Sequence, residues 1–282
     1  MADISEGKKN RLAGSGSPYL FQHALLVSLA VAVLATLIPG PWGTLNAKGG
    51  SSLQPVIFRE DFDSLDQWKP LKFSKIENMC TYTLDPQTDK VCYVKAQSSN
   101  SASGMVWVGE FDVYEHPMIR WRWKVSNVYV KGDALQKAGD DYPMRIYVMF
   151  KYDPRDSHVK KKFKYGLAKL LYGEYPPYAS LNYIWANREH QERFLPNPFA
   201  NETMMIPLRS GSGLVGQWLE EERNILEDYR EAFGKDPPTK AGLAFMNDSD
   251  NTGEASESWI DWIEIYREQD TGRSTQDTGV NK

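Results

Sequence analysis

Ile119-Arg120-Trp121-Arg122-Trp123-Lys124-Val125 decides the fold class. Four apolar residues alternate with three cations, which is the two-residue period of a strand with one face in a core and the other in water. The run Met144-Arg145-Ile146-Tyr147-Val148-Met149-Phe150 repeats the pattern, with Met144, Ile146, Val148 and Phe150 on one face and Arg145, Tyr147 and Met149 on the other. If the two runs share a sheet, Arg120, Arg122, Lys124, Arg145 and Tyr147 form one cationic and aromatic platform. Trp259-Ile-Asp-Trp-Ile-Glu-Ile-Tyr266 is bulky on both faces, as in a strand covered on both sides.

Working outward, strand-like runs bounded by turn residues fall at 56–62, 80–84, 90–96, 104–111, 118–126, 144–152, 181–186, 203–208, 241–247 and 258–267. Ten such runs without solenoid repeats predict a mainly β, jelly-roll-like β-sandwich. Two added α-helices are expected. Over Leu214–Phe233, the residues Val215, Trp218, Leu219, Leu226, Tyr229 and Phe233 come close to helical spacing, with Gly234 and Pro237-Pro238 as the stop. Over Ser157–Tyr172, one apolar side is set against Lys160, Lys161, Lys162, Lys164 and Lys169. That basic helix suits packing on the sandwich, a lid over the platform or an anionic membrane surface.

The 282 residues carry a net charge of −4, so no broad basic surface argues for nucleic acid. The four histidines (His23, His116, His158 and His190) are scattered, without zinc-site spacing. At the N-terminus, Lys8, Lys9 and Arg11 precede the uncharged run Ala24–Ile38, which Pro39-Gly40-Pro41 ends. A positive patch followed by an apolar run has the form of an export signal or membrane anchor, with the lysines on the cytoplasmic side. Leu45-Asn46-Ala47 is a poor cleavage site, so secretion into the periplasm and tethering at the membrane both stay open. The expected organisation is leader and spacer over 1–52, one domain over 53–268 and a disordered polar tail over 269–282. In an oxidising compartment Cys80 and Cys92, which flank the turn Leu84–Asp89, are expected to form a disulfide across a hairpin.

Guanidinium forks bind carboxylates, sulfates and phosphates, and aromatic faces stack on sugar rings, so the platform suits an acidic saccharide. Its alternative is a salt-bridged sheet face with Asp140 and Asp141 among the partners. Arg120, Arg122, Arg145, Tyr147, Asp140, Asp141, Asn182 and Trp185 form the candidate ligand set. Asp248-Ser-Asp-Asn-Thr-Gly253 starts like a calcium loop but has Trp259 where an EF-hand ends in Glu; Asp248 and Asp250 are its candidate ligands for a structural calcium, against a plain Asx-rich turn. Glu60, Asp61 and Asp63 with Asp261 form a second calcium candidate, by analogy to jelly-roll modules. Arg223, Asp228 and Tyr229 suggest a buried ion pair tying a helix to the sheet. A glycosidase would pair Asp140 or Asp141 with Asp248 or Asp250, and a lyase would use Arg145 and Tyr147. No nucleophile elbow, P-loop or dinucleotide fingerprint is present.

Arg120–Lys124, Gly139–Phe150, Leu181–Trp185, Arg223–Gly234 and Asp248–Gly253 together resemble a bacterial exported family known as domain of unknown function 3047. The resemblance spans Phe58–Arg267 and names relatives without naming a chemistry. Phe58–Phe62 and Trp259–Ile263 are also similar to the first and last strands of jelly-roll carbohydrate-binding modules. The leading expectation is therefore an exported, non-catalytic binder of saccharide or envelope glycan, with the membrane reached through the N-terminal segment. A carbohydrate-active enzyme on the same face and a structural envelope assembly factor are the alternatives.

Overall fold

The computed structural model describes residues 56–73, 76–86, 92–152 and 177–268. The apolar leader, the basic helix expected over 157–172 and the tail lie outside the described residues. Among those described, no helix is long and apolar enough to cross a membrane.

Two sheets make up the domain. Sheet A runs β12 (Leu219–Asn224), β7 (Met118–Val125), β14 (Ala255–Tyr266), β4 (Cys92–Ser99) and β3 (Thr81–Pro86), with β1 (Val56–Glu60) also paired to β14. Sheet B runs β10 (Leu195–Pro196), β11 (Thr203–Ser210), β9 (Ala179–Ala186), β8 (Arg145–Phe150), β13 (Lys240–Asp248), β5 (Ala102–Trp107) and β2 (Trp68–Leu71), with β6 (Phe111–Asp112) beside β13. All pairings are antiparallel except β9 with β11. The first and last strands pair, with Glu60 opposite Ile263. All ten expected runs are strands; β2, β6, β10 and β12 are additional, short or charged segments that carry little alternation.

The inner faces meet through aromatic rings. Trp121 lies 5.2 Å from Tyr183, and Trp123 lies 5.8 Å from Trp185, centre to centre, and all four are fully buried. Such offset and tilted pairs add to the burial of large apolar surfaces. β14 is central to sheet A, and its register slips between Ile260 and Trp262. This bulge places Asp261 as an extra residue. Ile260 and Ile263 therefore both face the core opposite Trp123 and Trp121, while Trp259 and Trp262 both face outward opposite Lys124 and Arg122. The bulky second face is thus half-buried beside cationic side chains, with no second layer of described residues over it.

Of the helix expected over Leu214–Phe233, only Ile225–Phe233 is helical. Leu219–Asn224 pairs with β7, setting Glu220 opposite Arg122 and Glu222 opposite Arg120. Cross-strand opposite charges and the open edge of β7 outweigh the helical preference of three consecutive glutamates. Helix α1 (Ile225–Phe233) then begins at Asn224, whose side chain accepts from the Leu226 and Glu227 amides at 3.1 Å. It ends at Gly234, whose φ of 64° is left-handed. Asp228 ties α1 to the rest: it accepts from Arg223, from Tyr183 Oη at 2.9 Å and from Arg193 Nη2 at 3.1 Å, while 1% exposed. Removing one partner of such a group leaves the others buried and uncompensated.

The expected disulfide does not form, and both cysteines are free. In the β3–β4 hairpin Pro86 pairs with Cys92 and Thr81 with Gln97, so Cys80 and Cys92 sit at opposite ends of the ladder. Six residues of strand separate their levels, about 20 Å, far beyond disulfide reach. Cys80 is instead buried, with its thiol donating to Asn247 O at 2.8 Å. In non-reduced native protein, a maleimide is expected to label Cys92 first and Cys80 only on unfolding, read by mass spectrometry. Asp228→Ala is expected to cost about 3–5 kcal/mol in chemical denaturation.

Candidate functional site

The platform expected from the two alternating strands is two surfaces. β7 belongs to sheet A and β8 to sheet B, so once their apolar faces meet in the core, Arg120, Arg122 and Lys124 face away from Arg145 and Tyr147. Trp185, expected in the ligand set, is fully buried against Trp123, with Nε1 donating to Gly211 O.

On sheet A the outer face is a lattice of cations and rings. Arg59 and Arg120 flank Trp262 at 5.2 and 5.8 Å, and Arg120 lies 5.1 Å from the Tyr266 ring. Arg122 lies 5.1 Å from Trp218. The guanidiniums are already matched: Arg59 and Arg120 share Glu264, and Arg122 donates to Asp261 at 2.8 Å. The anions that this group of cations demands are thus supplied largely by the sheet itself, through Glu264 and Asp261 rather than Asp140 and Asp141. Lys124 is the exception. Its Nζ lies 4.8 Å from the Trp218 ring and 4.3 Å from Trp259, and among the described residues it makes no ion pair. Burial lowers its pKa, with Asp85 opposing. Trp218, Trp259 and Trp262 are half-buried. They were not among the candidate ligand residues because Trp218 read as helix core and the other two as covered; the three-residue spacing of Trp259 and Trp262 within a strand was the available signal of a bulge.

On sheet B, Arg145 is 5% exposed between the Tyr142 and Tyr147 rings. It donates to Asp248, and Asp140 lies 3.9 Å away. Asn182, opposite Tyr147 on β9, is 1% exposed with Oδ1 unpaired. At the strand ends the loops carrying Asp141, Asp248 and Asp250 converge until their carboxylate oxygens lie within 4.8 Å of one another. Asp141 clasps the turn after β13: it accepts from Asn251 Nδ2 at 2.9 Å and from the Thr252 amide at 2.6 Å, and Gly253 closes the turn at a φ of 71°. The sequence motif therefore acts as an Asx-rich turn. The same three carboxylates offer hard oxygen donors suited to one calcium ion, fewer than the six to eight oxygens such an ion takes. Among the described residues this is the sole such group. Glu60, Asp61 and Asp261 do not gather: Glu60 accepts from the Phe62 amide and Trp68 Nε1, Asp61 pairs with Arg59, and Asp261 pairs with Arg122.

Burial raises the pKa of Asp248 well above the ordinary carboxylate range, with Arg145 opposing and Asp141 and Asp140 reinforcing. Asp250 is raised by burial and then by Asp141. A carboxyl whose folded pKa exceeds its unfolded one binds more protons when folded, so its stabilising contribution is present at low pH and lost as pH rises through the folded value.

Residues 66–264 match the family described as protein of unknown function (DUF3047). The domain is a two-sheet β-sandwich with an aromatic and cationic outer face, and the chain belongs to that family. No functionally curated protein matches it. Among solved structures, the winged bean acidic lectin in complex with methyl-α-D-galactose is 8% identical with a TM-score of 0.35, covering 75% of this chain and 98% of the lectin. Endoglucanase 3 of Trichoderma harzianum is 10% identical at 0.32, covering 70% and 100%. A Bacillus licheniformis xyloglucanase is 7% identical at 0.34, covering 75% and 91%. Likenesses this weak decide nothing about chemistry.

In calcium-free buffer, Asp250→Asn is expected to raise Tm by a few degrees near pH 8, because it removes a charge crowded by Asp141. The gain should shrink as pH falls toward about 4, where carboxyls protonate. If the cluster holds calcium, added calcium will raise the wild-type Tm and the variant will lose that increment.

Proposed function

We propose that the protein is an exported, non-catalytic saccharide-binding protein whose ligand lies on the outer face of sheet A. The observation that carries this reading is Lys124, an ammonium that makes no ion pair among the described residues, set between Trp218 and Trp259. Half-exposed indole faces stack on the C–H faces of pyranose rings, and the poorly solvated ammonium favours a ring bearing a carboxylate or sulfate. The apolar N-terminal run supports a location beyond a membrane, where envelope polymers are the available ligands.

The enzymatic alternative required the loops of Asp141, Asp248 and Asp250 to converge, and they do. Asp141 and Asp248 are, however, 0% and 1% exposed, so a glycosidic bond has no access between them. That favours a structural role for the cluster. Titration calorimetry with neutral and acidic oligosaccharides tests the proposal. Trp259→Ala and Lys124→Met should each weaken binding about tenfold, ~1.4 kcal/mol, with Tm maintained. Arg122→Ala should do less, since Asp261 already holds that charge. Binding unchanged in both Trp259→Ala and Lys124→Met would count against it.

A further inference from the structure

Two residues along β14 from Trp259 lies Glu257, opposite Gln97 on β4, which is itself opposite Thr81 on the edge strand β3. These side chains, with Glu77, Asn78 and Asn127, line an open cleft of about 900 Å³. Among the described residues its lining is mostly hydroxyls, amides and carboxylates, with Met79 and Ala255 as the apolar members and no lysine or arginine. The cleft thus differs in chemistry from the neighbouring aromatic row, although the two adjoin along one face.

Its polar groups are oriented but incompletely used. Gln97 Nε2 donates to Glu257 Oε1 at 2.6 Å, and Lys95 Nζ reaches the same oxygen at 2.9 Å. The other Glu257 oxygen, Gln97 Oε1 and the Thr81 hydroxyl make no hydrogen bond among the described residues. The Lys95 hydrogen bond lowers the Glu257 pKa, so this residue stays an ionised acceptor. Asn127 Nδ2 is held by Ala255 O at 3.0 Å, and its Oδ1 accepts from Ser126 Oγ at 2.6 Å, which fixes the amide on the cleft wall. Fixed acceptors and amides beside the Glu77 carboxylate and a Glu257 carboxylate already paired with Lys95 offer an anion no unpaired cation and welcome a ligand rich in hydroxyl donors.

We infer that this cleft is a second subsite, taking an uncharged, hydroxyl-rich sugar unit next to the unit held at Trp259 and Lys124. The inference rests on the saccharide-binding reading and extends it to a glycan in which a neutral unit adjoins an acidic one. The offset between Trp259 and Glu257, roughly 7 Å along a strand, is the scale of one sugar unit. Glu257 and Gln97 accept from its hydroxyls, while the aromatic row carries the neighbouring ring.

The test uses the full chain and ligand-observed NMR with calorimetry. The probes are glucuronic acid, N-acetylglucosamine, cellotriose, trigalacturonic acid and a hyaluronan tetrasaccharide, in which acidic and neutral units alternate. Thr81→Trp, at an exposed position, fills the cleft without touching the core, and Gln97→Ala removes a wall amide; melting curves check that both fold. The expected result is at least tenfold weaker tetrasaccharide binding in both variants, with glucuronic acid binding unchanged. Tetrasaccharide affinity unaltered by either variant but reduced by Trp259→Ala would overturn the subsite and leave the aromatic row as the whole site. No binding of any probe by the wild-type chain at millimolar concentration would overturn the subsite and the saccharide reading together.

Discussion

The structure depends on the single extra residue in β14. A strand with strict alternation cannot put Ile260 and Ile263 on one face, nor Trp259 and Trp262 on the other, because residues three apart point in opposite directions. The bulge at Asp261 lifts that constraint in the most central strand of sheet A. It supplies two isoleucines to the core beneath Trp123 and Trp121 and turns two indoles outward. Asp261 also offers its carboxylate to Arg122. Core packing, the aromatic row and the neutralisation of one arginine all follow from one local departure from the β ladder.

Charge on the two sheets is handled differently. Arg145 is sealed between tyrosine rings and matched by Asp248, so the free energy of desolvating it is offset inside the protein. Asp141 spends its hydrogen-bonding capacity on the turn that carries Asp250. On sheet A, Arg59, Arg120 and Arg122 are matched by Glu264 and Asp261, yet their planes remain stacked on half-exposed indoles. In that lattice Lys124 makes no ion pair among the described residues. A buried matched charge holds the fold together; a half-solvated unmatched one leaves interaction energy for a ligand.

Much of this was legible from residue order, and the rest was not, for definite reasons. Alternation over Ile119–Val125 and Met144–Phe150 identified both strands and which side chains point inward, because the period of two is a property of the chain itself. It did not say which strands pair. Arg122 and Arg145 look alike in sequence, and only the assignment of β7 and β8 to opposed sheets separates their surfaces. The disulfide expected between Cys80 and Cys92 failed on register: their spacing brackets a turn, but Cys92 pairs with Pro86, six residues along the chain from Cys80. Leu219–Asn224 became strand because the edge of β7 and its arginines were there to pair with, a partner that local helix preference does not register.

By itself the sequence determined a β-rich domain behind an apolar N-terminal run and the inward and outward faces of its main strands. Strand periodicity and turn chemistry are local, and a chain carries them wherever it goes. Only the tertiary structure decided that the cations divide between two faces, that Trp185 is core while Trp218 and Trp259 wall in Lys124, and that Asp141 meets Asp248 and Asp250. Each of those facts is a juxtaposition of residues far apart in the chain, set by which strands share a sheet and in what register.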